Sequence, residues 1–304
     1  MQKVLVTGAA GYIGRHVVRH LSNHGYNVIG LDLEPNKEIN CCIANITDYK
    51  RLKFLFKNHL NIDAVIHLAG LIDVAESFNY PDAYYQVNYK GTENLLNLAI
   101  DNHIKSFVFA SSAAVYSNKE ANIPSVETHE LNGISPYGKS KQHAEKLITD
   151  HRDEMNTCIL RLFNVAGTHK NKDIGENHKP ETHLIPNTIN AINNKTSLDV
   201  YGNCVRDYVH VCDVADAFIK GINTEGIYNI GSGIGRNALD VIKSIEKMMS
   251  NGFRLRKNIK FKRQGDVDYL VANIERANNH LQWSPKRNFG EILNSAIKWH
   301  SKGD

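Results

Sequence analysis

The sequence predicts an α/β fold, a doubly wound parallel sheet with a smaller C-terminal lobe. Three observations predict it. Short, continuous apolar runs alternate with helical patterns through the first half of the chain. The first run leads through a glycine-rich turn into the first helix, and after about Asn164 the alternation fails. Continuous runs mark strands covered on both faces. Strand–helix alternation implies right-handed crossovers and a parallel sheet.

Strands are expected at 3–7, 27–31, 39–44, 64–68, 106–111 and 157–163, each a short apolar stretch such as Lys3-Val4-Leu5-Val6-Thr7. Helices are expected at 12–24, 48–59, 82–102 and 137–151, where apolar residues recur at helical spacing. The sheet should have six or seven strands, with a crevice at their carboxyl ends. Cys41 and Cys42 are expected to end a buried strand. Residues 1–165 form the expected nucleotide-binding domain. Residues 166–304 form mainly a second lobe, some segments of which return to the sheet. The stretch 167–180 is a loop rich in Asn, His, Gly and Pro, and no internal repeat or linker appears.

Composition narrows the functional classes. The chain has 304 residues, 42% hydrophobic and 22% charged, with Lys+Arg 36 against Asp+Glu 32 for a net charge of +4. That is ample for a large core and excludes low-complexity disorder. No apolar stretch approaches the ~18–20 residues of a membrane span. Residues 1–7 run straight into a strand pattern without a signal-peptide region, so no export and a cytoplasmic location are expected. The densest basic stretch, 254–263, lacks interleaved base-stacking aromatics in number, and nucleic acid is not an expected partner. Five cysteines without a Cys-x-x-Cys fit reduced thiols rather than a disulfide framework.

Gly8-Ala9-Ala10-Gly11-Tyr12-Ile13-Gly14 follows the first strand and opens the first helix. Glycines let the backbone turn sharply and approach a pyrophosphate, whose charge then meets the helix N-terminus. The spacing is G-x-x-G-x-x-G, in the strand–turn–helix context of a Rossmann dinucleotide site. Gly8, Gly11, Tyr12, Ile13 and Gly14 are therefore candidate cofactor contacts. Asp32 ends the second strand; its carboxylate can accept from ribose hydroxyls and would repel a 2′-phosphate. Leu33 and Glu34 follow without an adjacent Arg, which selects NAD over NADP.

Tyr137-Gly138-Lys139-Ser140-Lys141 puts Tyr and Lys four apart, on one helix face. A nearby ammonium and a positive nicotinamide ring both favour phenolate, bringing a phenol with an ordinary pKa near ~10 closer to working pH. Tyr49 and Lys53 have the same spacing but lie in the helix after the third strand, on the adenine half, and are read as surface residues. Only Tyr137 lies downstream of a strand ending in hydroxyls, Ser111-Ser112. Ser112, Tyr137 and Lys141 are the candidate catalytic residues.

TGAAGYIG, HLAG (67–70), SSAAVY (111–116) and PYGKSK (136–141) resemble the extended short-chain dehydrogenase/reductase superfamily. Within it, LRLFNVAG (160–167), ETHLIP (181–186), VRDYVHV (205–211), YNIGSG (228–233) and RQGD (263–266) resemble the UDP-glucose 4-epimerase family, over residues 3 to about 300. The resemblance implies that Tyr137 takes the proton of the sugar 4-hydroxyl while the C4 hydride passes to NAD. The 4-keto sugar then turns over and the hydride returns to its other face. Ser112 would hold the 4-oxygen, and Lys141 the nicotinamide ribose. The resemblance further implies cofactor contacts from Asn45, Ile46, Leu68, Ala69, Asn88 and Phe163. It implies substrate contacts from Asn164, His183, Leu184, Tyr201, Arg206, Arg263 and Asp266, the two arginines suiting a diphosphate. It also implies a homodimer formed through helices 82–102 and 137–151.

The chain departs from the family pattern at several points. The segment after Asp32 is short, and Asn45 stands where an Asp usually meets adenine, its carbonyl still able to accept from the adenine amino group. Ile72 replaces a Lys found in some members, and the loop between Gly202 and Val205 is cut back. Leu270 aligns with a bulky Tyr that closes the sugar pocket in members restricted to non-acetylated hexoses, which implies room for UDP-N-acetylhexosamines besides UDP-glucose and UDP-galactose.

Alternatives remain at this stage. Dehydratase and decarboxylase relatives carry acids just after the catalytic hydroxyl, where this chain has Ala113 and Ala114. A nucleotide-sugar 4-reductase would keep the same catalytic set, and an NAD-sensing binding protein would not need it. His16, His20 and His24 recur every four residues, but no carboxylate joins them in the sequence. They are read as a solvated helix flank, no metal site is expected, and His67 is read as structural without an evident partner.

Overall fold

The computed structural model describes residues 1–36, 39–58, 61–117, 123–171, 173–178, 180–249 and 253–301. Its centre is a seven-stranded sheet. In chain order the first six strands are β1 (Lys3–Thr7), β2 (Asn27–Asp32), β3 (Cys41–Ile43), β4 (Ala64–His67), β5 (Ser106–Ser112) and β6 (Asn156–Leu162). The seventh, Gly226–Ile230, comes from the C-terminal half and pairs with β6. The spatial order is Gly226–Ile230, β6, β5, β4, β1, β2, β3, and every pairing is parallel. The chain runs outward from β1 through β2 to β3, then restarts on the other side at β4. That reversal opens a crevice above the carboxyl ends of β1 and β4.

Apolar residues on both faces of the strands hold the sheet between two helical layers. Val4 and Val6 pack with Val17, Val18 and Leu21 of helix Tyr12–Asn23 and with Val214 and Phe218 of helix Val211–Gly221. Leu5, Val65 and Phe107 face Leu52, Leu96 and Ile148 on the opposite layer. A separate core, built on Ile185, Ile189, Val241, Ile242 and Leu293, belongs to the lobe of helices Leu184–Asn193, Ala238–Met248 and Phe289–His300. Strand Asn164–Ala166 pairs with Val205–His210, which pairs in turn with Tyr269–Leu270, so the lobe begins directly at the end of β6.

Two expected elements need correction. The helix expected at 82–102 is broken into Pro81–Tyr85, a π-helical turn Gln86–Lys90 and Gly91–Asp101, preceded by a short helix Val74–Asn79. The extra residue in the wide turn swings Asn88 into the protein, where it is fully buried. Cys41 and Cys42 do not end a buried strand: they open a three-residue edge strand and are half-buried, because β3 has a neighbour on one side only. Of the helix expected at 48–59, Tyr49–Asn58 is helical and His59 lies outside the described residues.

His16 is not on a solvated flank. It is 1% exposed, because the strip of helix Tyr12–Asn23 that bears it meets the loop after Gly167. His16 Nδ1 lies 2.8 Å from the Tyr12 carbonyl and Nε2 accepts the His169 N–H at 3.2 Å. Nδ1 therefore carries the proton of a neutral ring, and burial lowers its pKa to about 4. His20 sits 3.0 Å from Asp216 of helix Val211–Gly221, a carboxylate that sequence spacing did not associate with it. Only His24 is exposed, with its Nδ1 2.7 Å from the His20 carbonyl.

Candidate active site

A cavity of about 910 Å³ lies above the strand ends, between the sheet and the lobe. Its floor is the glycine turn. Gly8 has φ +69°, and a Cβ on it would lie 2.7 Å from the Ala69 nitrogen. A Cβ on Gly14 would lie 1.9 Å from the Gly8 carbonyl oxygen. These positions admit only hydrogen, and the turn folds flat against β4 as a result. Helix Tyr12–Asn23 starts from Gly11 without a side-chain cap, whereas Ser135 caps helix Pro136–Asp150 through the Gly138 N–H and Asn288 forms a capping box on Phe289–His300. The first-turn amides of the uncapped helix point into the cavity and suit a phosphate. This cradle fits a dinucleotide.

Asp32 stands beside the turn. Its Oδ2 accepts the Ala10 N–H at 2.8 Å and its Oδ1 the Leu33 N–H at 2.7 Å, fixing a carboxylate that retains lone pairs for a diol. Asn45 lines the cavity, and its Oδ1 accepts the Thr47 N–H and hydroxyl, both at 2.9 Å, in a local turn. Ile46, Leu68, Ala69 and Phe163 line the cavity as well, but Asn88 does not. Its amide is consumed by the Leu71 backbone, which gives its N–H to Oδ1 at 2.9 Å and accepts from Nδ2 at 3.0 Å, and by Ser140 Oγ at 3.0 Å. Asn88 acts one layer behind the cavity wall and ties loop 68–72 to helix Pro136–Asp150.

His67 has partners after all. The Leu68 and Ala69 N–H groups, each at 3.2 Å, point at Thr7 Oγ1, which lies 2.7 Å from His67 Nδ1. His67 Nε2 lies 2.9 Å from Thr92 Oγ1, whose hydroxyl donates to the Asn88 carbonyl at 2.6 Å. The donors run one way only if His67 is neutral with its proton on Nε2. Burial, with Lys141 nearby, holds its pKa well below the ordinary imidazole value. The chain of bonds pins the carboxyl ends of β1 and β4 under the cavity.

Ser112, Tyr137 and Lys141 meet on one wall. Ser112 caps the turn Ala113–Val115 by accepting the Ala114 N–H at 3.1 Å. That turn rests on helix Pro136–Asp150 at Gly138, where a Cβ would lie 2.3 Å from the Ala114 carbonyl oxygen. Burial raises the Tyr137 pKa, and a hydrogen bond with Ser112 opposes the rise. Lys141, expected to favour the Tyr137 phenolate, makes its hydrogen bond elsewhere. Lys141 Nζ donates instead to the Ala110 carbonyl at 2.9 Å and lies 4.7 Å from the Phe109 ring centre. Burial lowers its pKa to about 8. Behind this wall a buried pair that the sequence reading missed joins Glu145 to Arg161 at 2.7 Å. Glu145 also takes the Ser111 hydroxyl, and Arg161 reaches Tyr116 at 2.8 Å, so the end of β5 is held from behind. Tyr49 is 36% exposed on the outer helix, away from the cavity, with Lys53 5.9 Å from its ring centre.

The lobe supplies the opposite wall. Asn164, His183, Leu184, Tyr201, Arg206, Arg263, Asp266 and Leu270 all line the cavity. Arg206 NH1 donates to the Val267 carbonyl at 2.7 Å and NH2 meets Asp266 at 3.2 Å, so Asp266 is already a partner of the arginine. The Arg263 guanidinium lies 4.2 Å from the Tyr201 ring centre. Leu270, half-buried, borders the cavity and also packs against the cluster of Ala113, Phe163 and Ala272. Glu176 and His178 line the same wall and escaped the sequence reading, although Glu-x-His occurs twice, at 176–178 and 181–183. Burial works against the Glu176 carboxylate, but His178 and His183 outweigh it and bring its pKa to about 2. Burial pulls His183 down, yet its bond to Glu176 leaves its pKa raised.

Comparison with known proteins agrees with this geometry. Residues 4–231 match the model of the NAD dependent epimerase/dehydratase family. The chain is 34% identical to a UDP-glucose 4-epimerase of Rhizobium leguminosarum bv. trifolii, over 100% of this chain and 98% of that protein. It is 36% identical to a UDP-glucose 4-epimerase of Lactobacillus helveticus, over 98% and 97%. The crystal structure of UDP-glucose 4-epimerase from Bifidobacterium longum in complex with NAD+ and UDP superposes with a TM-score of 0.91 at 32% identity, covering 99% of this chain and 98% of that one.

Proposed function

We infer, from the premise that this chain belongs to the NAD dependent epimerase/dehydratase family, that it is an NAD-dependent 4-epimerase of UDP-hexoses. The observation that carries the reading is one cavity with the uncapped glycine turn at its floor, Ser112, Tyr137 and Lys141 on one wall, and Arg206 and Arg263 on the other. NAD, held by the glycine turn and Asp32, would supply the hydride acceptor and donor for the sugar C4.

The chain's own residues do the rest. Tyr137 removes the proton of the 4-hydroxyl and gives it back, which requires its phenol to be brought down from the raised pKa that burial imposes. Ser112 holds the 4-oxygen and, through its bond with Tyr137, favours the phenolate. Lys141 adds a positive charge beneath the site. Asp32 holds the adenosine ribose, and Gly8, Gly11, Tyr12, Ile13 and Gly14 hold the pyrophosphate. Ile46, Leu68, Ala69 and Phe163 enclose the cofactor, with Asn88 acting indirectly through loop 68–72. Arg206 and Arg263 hold the UDP diphosphate, and Asn164, His183, Leu184 and Tyr201 frame the nucleotide and sugar. Water elimination would need a second proton donor after Ser112, and Ala113 and Ala114 provide none.

Residues 1–165 serve the cofactor in this reading and 166–304 mainly the substrate. The leucine at 270 leaves space for an acetamido group, so the N-acetylhexosamine pair is a second substrate. A homodimer forms through helices Pro81–Tyr85, Gly91–Asp101 and Pro136–Asp150, where Tyr85, Tyr89 and His143 cluster, Tyr85 being 38% exposed. All five cysteines are thiols, and among the described residues no helix is long and apolar enough to cross a membrane; cytoplasmic residence accords with both. The test is to incubate the purified protein with UDP-glucose, UDP-N-acetylglucosamine and their C4 epimers and to identify products by NMR. Each sugar is expected to yield its epimer. Net reduced or dehydrated products would replace this reading.

A further inference from the structure

The loop leading into helix Leu184–Asn193 brings Glu176, His178, Glu181 and His183 together, with one donor atom of each within 4.8 Å of all the others. His178 Nδ1 lies 3.3 Å from Glu176 Oε1 and 4.0 Å from Glu181 Oε2, and His183 Nδ1 lies 3.8 Å from Glu181 Oε1. Donors bonded to a tetrahedral ion at about 2.0–2.1 Å stand roughly 3.3 Å from one another, so the wider pairs must close by about half an ångström or more, while His183 and Glu176, now hydrogen-bonded to each other, must move apart. His178 Nδ1 points into the cluster and meets Glu176 Oε1 at 3.3 Å, while the rest of its ring is about a third exposed.

The backbone behind each carboxylate is held. Trp299 Nε1 donates to the Glu176 carbonyl at 2.9 Å, and Gly175 presses on the same indole, where a Cβ would come within 2.3 Å of the ring. Asn187 Nδ2 donates to the Glu181 carbonyl at 3.1 Å. Glu181 Oε1 accepts the Thr182 and His183 N–H groups, both at 2.8 Å, which orients the carboxylate and leaves Oε2 towards His178. Outer contacts of this kind orient metal ligands. Charge gives a separate reason. Glu176, with Glu181 beside it, stands at a cavity whose other walls, the helix N-terminus, Arg206 and Arg263, suit anions. A divalent cation between them would cancel that repulsion.

We propose that Glu176, His178, Glu181 and His183 bind one zinc-class divalent transition-metal ion. Two imidazoles with two carboxylates favour such an ion over Mg²⁺ or Ca²⁺, which take oxygen donors. Four protein donors close the coordination shell, so the ion holds the loop against the cavity and takes no part in the chemistry.

The test reads metal, not turnover, and therefore stands apart from the fate of the epimerase reading. The full-length protein is stripped with a chelator, dialysed against Zn²⁺ or Co²⁺, and measured by elemental analysis and visible absorption. One zinc per chain and the intense d–d bands of tetrahedral cobalt are expected. His178→Ala/Glu181→Gln should lower zinc affinity at least tenfold and abolish the bands. Zinc bound no more tightly by the wild type than by the double variant would overturn the proposal. So would a purely octahedral cobalt spectrum in the wild type, a readout that decides the matter even if the double variant fails to fold.

Discussion

At the sheet side of the cavity, the inward-facing groups are largely backbone: the turn from Gly8 to Gly14, the first amides of an uncapped helix, and residues 68–70 at the end of β4. At the lobe side they are side chains, Tyr201, Arg206 and Arg263, carried on short strands and loops. A backbone cradle is set by strand ends and tolerates almost no added atom, as the 1.9 Å approach at Gly14 shows. A side-chain wall can change size and charge one residue at a time. The contrast assigns the cofactor to the rigid wall and substrate choice to the adaptable one.

The comparison can be broken most decisively at the catalytic wall. Tyr137→Phe should lower the rate by about 10²–10⁴, the usual worth of a positioned acid–base group, while NAD and UDP still bind in calorimetry. A variant within tenfold of wild type would remove Tyr137 from its role. Tyr49→Phe should leave the rate unchanged.

The seam between the walls comes next. Tyr12 reaches the Gly167 carbonyl at 2.6 Å, and His16 accepts the His169 N–H at 3.2 Å. Folded His16 resists protonation until pH about 4, whereas the unfolded ring takes a proton near its ordinary value of 6.5. The unfolded state therefore binds more protons between those limits. Stability is full above pH 6.5 and falls as pH drops towards 4, by about 3 kcal/mol from this residue. Thermal unfolding across that range should show the fall, and His16→Gln should flatten it; an unchanged slope would place the acid sensitivity elsewhere.

On the backbone wall, Gly14→Ala should cost about 1–3 kcal/mol of stability through overpacking and release NAD, read together as a lower melting temperature and lost cofactor absorbance. Retained NAD with an unshifted melting temperature would mean that the turn is less rigid than its geometry indicates. The smallest effect tests the adaptable wall. Leu270→Tyr should slow the N-acetyl pair by roughly tenfold, within the ~1–3 kcal/mol that pocket shape commands, and spare the glucose pair. Equal loss on both pairs, or none, would mean that Leu270 acts through its packing with Phe163 and Ala272 rather than as a gate.

By itself the sequence determined the parallel sheet, the position of the glycine turn and the pairing of Tyr137 with Lys141. These are local: a strand's apolar run, a turn that needs glycine and two side chains one helical turn apart are each written within a few neighbouring residues. Only the tertiary structure decided the rest. Asn88 looked like a cofactor contact, but a π-helical turn sends it behind the wall. His16 looked solvated until the loop after Gly167 closed over it. Glu145 and Arg161 lie 16 residues apart and meet only because helix Pro136–Asp150 lies along β6. Glu176 is held in place by Trp299, more than a hundred residues later, which donates to its carbonyl. Burial and long-range pairing are properties of packed elements, and they follow from which surfaces meet rather than from the order of residues along the chain.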